Sequence, residues 1–245
     1  MSELAVVLAG GAATLLAVRR ARGRLRWGAA AVAVGWAATL GPLDPLAERS
    51  LAAHMLQHVL LGDLAPLLVV LAARSGDLRR LAPHPAVASL LDRLFRPLPA
   101  FAVWAGALAL WHVPSAYDLA LEHERVHALE HAAFALGGLL VWSQLLDPAR
   151  RRRLAGWWLP GYALAVLVAS QALANVLVLS YRPLYGAYAG ADRPFGLSAT
   201  GDQDAGAVVM MLEQLATVGT FAFLALRSLV ARTAPRREAP HPFAA

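Results

Sequence analysis

The sequence predicts an all-α fold: a polytopic membrane bundle of about seven transmembrane helices, with the N-terminus outside and the C-terminus cytoplasmic. Three observations carry this expectation. Apolar residues make up 58% of the 245-residue chain and charged ones only 16%, which is more apolar than soluble globular domains are. The apolar residues gather into seven runs, several near the roughly 20 residues that a helix needs to cross a bilayer core. Lysine is absent, and the arginines crowd into alternate connections between the runs.

The runs cover residues 4–18, 27–43, 51–73, 99–113, 126–146, 157–180 and 205–230. The first is short enough to pass for a signal peptide. Signal peptides carry their positive charge ahead of the apolar stretch, whereas here Glu3 precedes it and Arg19, Arg20, Arg22, Arg24 and Arg26 follow, so it reads as a retained span. The third run is long enough to span yet carries His54, Gln57, His58 and Asp63. The fourth ends at Pro114, because the residue before a proline is pushed out of the helical region. After the first run come the five arginines just named. After the third come Arg74, Arg79, Arg80, Arg93 and Arg96, and after the fifth Arg150 to Arg153. Arg227, Arg232, Arg236 and Arg237 lie at the end of the seventh run and beyond it. The intervening connections hold fewer arginines among many carboxylates, which places them outside. The net charge of +6 is therefore a topology signal, and no nucleic-acid partner is expected. Residues 1–230 form one transmembrane domain, followed by a disordered cytoplasmic tail, 231–245, rich in proline and charge. His84 and His241 read as solvated bystanders.

With a direction assigned to each span, its polar residues acquire a depth. His54, Gln57 and His58 open the third span, His112 closes the fourth, and His127, Glu130 and His131 open the fifth. Asp202, Gln203, Met210, Met211, Glu213 and Gln214 belong to the start of the seventh. All are expected at one level in the outer leaflet, with Asp63 deeper and facing a different neighbour from His54. His54 and His58, like His127 and His131, are four residues apart and share a helix face, a spacing that suits a metal ion. Strongly polar groups inside a bilayer cost several kcal/mol unless they face a protein interior and find partners. Cysteine is absent, which excludes disulfides and thiolate metal sites and leaves imidazole and thioether as the only soft or borderline ligands. Candidate metal ligands are thus His54, His58, His112, His127, His131 and Met210. Glu130, Asp202 and Gln203 are expected to support them or to line the way in. Tyr181, Tyr185, Tyr188, Trp157, Trp158 and Trp27 sit near span ends and read as interfacial anchors.

Four stretches, "HMLQHVLLGDLAPLL", "WHVPSAYDLAL", "VHALEHAAFALGGLLVW" and "GLSATGDQDAGAVVMM", occur in the order and spacing of the CtaG-type cytochrome c oxidase assembly factors of bacteria, the multispanning family linked to caa3-type oxidases. The resemblance covers about residues 51–214. It places His54, His58, His112, His127, Glu130, His131, Asp202, Gln203 and Met210 at the family's recurrent polar positions. Asp204 stands where the family often has glutamine, and Met211 where it often has tryptophan. The resemblance implies a multi-pass plasma-membrane protein that helps mature the oxidase through copper delivery. Its partners would be oxidase subunits or a copper chaperone, and its site would face the extracytoplasmic side. The residues themselves leave other readings open. Three histidines with Glu130 or Asp202 would also serve a zinc-dependent membrane hydrolase. Histidines on facing helices would clamp the haem of a b-type cytochrome. Imidazoles that simply bond helices together would suit a scaffold for oxidase subunits.

Overall fold

The computed structural model describes residues 25–73, 84–151 and 153–233; the expected span 4–18 and nearly all of the expected tail lie outside them. The described residues form helices and no strands. In chain order these are α1 (Leu25–Thr39), α2 (Asp44–Ala47), α3 (Leu51–Ala72), α4 (Pro85–Leu94), α5 (Pro97–Trp111), α6 (Pro114–Glu122), α7 (Glu124–Leu146), α8 (Trp158–Leu179) and α9 (Ala199–Thr233). Of these, α3, α7, α8 and α9 are long and apolar enough to cross a bilayer, and α4 with α5 across a 77° bend makes a fifth candidate. Helix α1 has 15 residues, about 22 Å of rise, and falls short of a roughly 30 Å hydrocarbon core by itself.

Local chemistry sets the boundaries. Ser50 and Ser198 cap α3 and α9, their side chains accepting the amides of Ala53 and Gly201. Prolines open α4, α5 and α6, where a missing N–H is harmless. Asp147, in the left-handed region at φ 43°, ends α7. Both α3 and α9 contain one π-helical turn, Leu60–Leu64 and Leu215–Gly219 respectively.

Helix α7 packs against α3 and α5, α3 also packs against α1 and α9, and α9 packs against α8. Within a bilayer lipid is as apolar as leucine, so close helix approach depends on small residues. Gly138 of α7 shows how close: a β-carbon built there would lie 1.9 Å from the carbonyl oxygen of Gly62 on α3. Neither backbone can yield cheaply. Gly138→Ala is therefore expected to push α3 and α7 apart and destabilise the bundle by about 1–3 kcal/mol, seen as a lower unfolding midpoint in detergent. Gly161→Ala, on an open face of α8, should leave the midpoint unchanged.

Candidate metal centre

The packing of α3 against α7 decides which polar side chains meet. Both helices begin at the same end of the bundle, so their first two turns lie side by side. His54 and His58 come from one and His127 and His131 from the other. One ring nitrogen from each of the four lies within 4.8 Å of the other three. Ring centroids stand 4.3 Å apart for His54 and His58, 4.2 Å for His127 and His131, and 5.1 Å for His54 and His127. The two pairs expected from their four-residue spacing thus become one cluster.

Hydrogen-bond accounting shows which nitrogens face inward. Tyr188 has a single hydroxyl hydrogen and donates it to the Ala47 carbonyl at 2.9 Å. Burial pushes the Tyr188 hydroxyl above its ordinary range, although the Tyr117 hydrogen bond opposes this, so it stays a phenol. Its contact with His54 Nδ1 at 2.8 Å must then be received from an Nδ1–H. Nδ1 is protonated, and a neutral His54 offers a bare Nε2. That Nε2 sits 3.3 Å from His127 Nε2, the separation that two nitrogens have at about 2.0–2.1 Å from a shared tetrahedral ion. His112 is fixed in the same way: its Nδ1 donates to the Leu108 carbonyl at 2.8 Å, leaving Nε2 buried with no hydrogen-bond partner among the described residues.

His58 has no hydrogen bond at either ring nitrogen among the described residues, though both are buried. A neutral imidazole always carries one N–H, and burying it unsatisfied costs about 1–3 kcal/mol. Its Nε2 lies 3.6 Å from Oε1 of Glu130, a carboxylate with no solvent exposure. Buried imidazole nitrogens that lack hydrogen bonds, beside a buried carboxylate, are the donor set a cation would satisfy. The residues present therefore fit a bound metal.

The other expected site residues fall around this cluster. The His112 ring is 6.4 Å from that of His58. Met210 packs with Met55 and Tyr117 in an apolar cluster between α3 and α9. Asp202 accepts from Ser50 Oγ at 2.6 Å and from the amides of Leu51 and Ala52 at 2.7 and 3.2 Å, so it holds the start of α3 and with it His54. Gln203 ties the loop before α9 to the end of α8 through Leu184 N, the Leu177 and Arg182 carbonyls and Ser180 Oγ.

Two expectations need correction. Tyr185 and Tyr188 are not interfacial anchors: they are 3% and 4% exposed, because the loop between α8 and α9 folds back over the cluster. Tyr181, Trp157 and Trp158 are exposed, as anchors would be. Glu213 and Gln214 do not share the histidine level. They face Asp63, whose partners Trp142, Gln214 and Thr217 make a separate polar centre deeper in the bundle. Tyr117 escaped the sequence reading altogether. Its ring lies 5.2 Å from that of His54 and its hydroxyl 3.3 Å from that of Tyr188. Its place within "WHVPSAYDLAL" was the available signal.

The family model described as cytochrome c oxidase caa3 assembly factor matches residues 11–232. No curated protein and no solved structure matches the chain.

Proposed function

Because the chain belongs to the cytochrome c oxidase caa3 assembly factor family, we propose that it matures a bacterial oxidase by holding copper at His54, His58, His127 and His131 and passing it on. Copper is the cargo here. The observation that carries the reading is the convergence of one ring nitrogen from each of four imidazoles within 4.8 Å, with His58 left without a hydrogen bond among the described residues. Imidazole is a borderline ligand that binds copper without the permanence of a thiolate cage, as suits a protein that must let its metal go. In this reading His112 and Met210 are auxiliary ligands that take the ion as it enters or leaves. Glu130 offsets its charge through His58, and Asp202 and Gln203 hold the helix ends in place. The protein acts as a binder and transfer station and carries out no catalysis.

The same proposal takes the chain as a seven-span plasma-membrane protein with its N-terminus outside. The histidines would then meet the extracytoplasmic space, where oxidase subunits or a copper chaperone would be its partners. The tight packing of the four rings favours one ion over a haem, whose macrocycle needs a slot between two imidazoles. Zinc fits the ligand set as well, and metal content separates the two.

In cells lacking the protein, the wild-type gene should restore cytochrome c oxidase activity and the copper content of the oxidase. A gene with alanine at all four histidines should restore neither, although its product reaches the membrane in equal amount. Full activity from the four-histidine variant would refute the proposal.

Tyr188 tests the finer geometry. Tyr188→Phe removes the hydroxyl that fixes the His54 tautomer while keeping the ring. Outer partners of metal-binding histidines typically contribute 10–100-fold in affinity. Copper affinity measured by competition with a chelator should fall by about that factor, whereas Tyr181→Phe, at an exposed position, should leave it unchanged.

A further inference from the structure

Asp63 and Glu213 stand near the middle of α3 and in the first half of α9, each within or beside a π-helical turn. Such turns inside α-helices occur frequently at functional sites. Asp63 is buried and accepts from the Trp142 indole, from Gln214 Nε2 at 3.1 Å and from Thr217 Oγ1 at 2.6 Å. Glu213 Oε2 accepts from the same Gln214 Nε2 at 3.1 Å, and Glu213 Oε1 lies 3.3 Å from the same Thr217 Oγ1. One amide and one hydroxyl therefore bridge two carboxyl groups in the interior of the bundle.

Charge and hydrogen count both come up short there. Two carboxylates this close in a low-dielectric interior repel too strongly for both to be ionised without a compensating positive charge. Among the described residues no arginine or histidine supplies one: the nearest on these two helices are His58, five residues back, and Arg227, fourteen residues on. Helix α8 brings Tyr162 as its only ionisable group, α5 brings none, and α1 has only Arg26 at its start. The ionisable groups of α7 all lie in its first two turns, well before Trp142. Hydrogens are scarce as well. The single Thr217 hydroxyl hydrogen faces three oxygens, Asp63 Oδ2 at 2.6 Å, the Glu213 carbonyl at 3.0 Å and Glu213 Oε1 at 3.3 Å. Gln214, 8% exposed and pointing its amide into the pair, has a buried Oε1 with no hydrogen-bond partner among the described residues.

We propose that this centre is a second ligand site, which binds one proton on Glu213 and shares it through Thr217 with an ionised Asp63. Asp63 already receives three donors, enough for a carboxylate, whereas Glu213 receives one amide hydrogen. A hydrogen on Glu213 Oε1 completes a chain in which Glu213 donates to Thr217 and Thr217 donates to Asp63. A metal cation fits less well, because the Trp142 N–H and the Thr217 O–H both direct hydrogens at Asp63 where a cation would need oxygen lone pairs. The site is separate from the imidazole cluster: His58 precedes Asp63 on α3 by roughly 7.5 Å of helix rise. It gives the bundle a proton-binding group at mid-membrane, of the kind that couples a transfer step to proton uptake. It stands whether or not the histidines bind copper.

Infrared difference spectroscopy on the full-length protein in lipid nanodiscs at neutral pH tests the assignment. The wild-type minus Glu213→Gln spectrum should contain the carbonyl stretch of one protonated carboxylic acid, shifted to lower frequency in heavy water and unaffected by replacing potassium with sodium. Thr217→Val, which keeps the shape but removes the bridging hydroxyl, should move that band to higher frequency. A difference spectrum without the band, a band that Thr217→Val leaves in place, or a band that sodium abolishes would overturn the proposal.

Discussion

Alanine at both His54 and His58 is expected to abolish copper binding by the purified protein. If each ligand of a four-ligand site carries about a quarter of the ~10–16 kcal/mol found for structural zinc in zinc-finger peptides, removing two costs roughly 5–8 kcal/mol. That is more than about a thousandfold in affinity. The two substitutions remove both ligands that α3 contributes to the cluster, so no repacking within α7 can rebuild the set. Neither change unmoors α3, whose start is held by Ser50 and Asp202 rather than by the imidazoles. The variant should therefore fold and be extracted like wild type. His84→Ala, at an exposed residue that caps α4, serves as the control and should bind copper normally. Titration against a cuprous chelator reads all three proteins on one scale.

Asp202→Ala should produce the largest loss of stability. The carboxylate is almost fully buried and accepts the Ser50 hydroxyl and the amides of Leu51 and Ala52, two of the first-turn N–H groups that a helix cannot satisfy internally. It also carries the negative charge that the positive end of α3 favours, and the Arg193 guanidinium approaches it to 4.0 Å. Alanine strands three donors where water does not reach. At about 1–3 kcal/mol for each buried unsatisfied group, partly relieved by relaxation, the loss should be about 3–5 kcal/mol. Asp202→Asn keeps an acceptor oxygen without the charge and should lose distinctly less. Unfolding midpoints in mild detergent measure both. Equal, small losses for the two variants would mean that α3 does not depend on this cap. Because Asp202 sets the start of α3, copper affinity should fall together with stability in Asp202→Ala, and should fall alone in the His54 and His58 variant.

The histidine cluster was legible in the sequence because two independent regularities coincide. A four-residue spacing fixes the face within each helix, and the expected depth fixes the level between helices. His54, His58, His127 and His131 obey both. Asp202 obeys the depth rule, but its partners, Ser50, Leu51 and Ala52, lie some 150 residues away in the chain, and no local pattern announces a cap supplied by another helix. Tyr185 and Tyr188 misled because an aromatic residue just past a span looks the same whether it rests in the headgroups or turns inward over a site. The conformation of the loop decides, and that depends on Gln203 bridging it to α8. Glu213 and Gln214 misled for a geometric reason. At ~100° per residue they lie within about 60° of Met210 on the same face, but roughly 4.5–6 Å farther along the helix, about one turn deeper, which brings them to Asp63 rather than to the histidines. A π turn beginning at Leu215 adds a local change of register that no apolar periodicity reveals. Apolar length does not fix the number of spans, because a 15-residue helix such as α1 rises only about 22 Å.

X-ray absorption at the copper edge, on protein purified from its own membrane, bears most directly on the claim that α3 and α7 build a copper site. One copper per chain, surrounded by imidazole nitrogens whose signal disappears in the variant with alanine at His54, His58, His127 and His131, is the predicted result. A metal-free protein, a stoichiometric ion other than copper, or a copper environment unaltered by those four substitutions would contradict it.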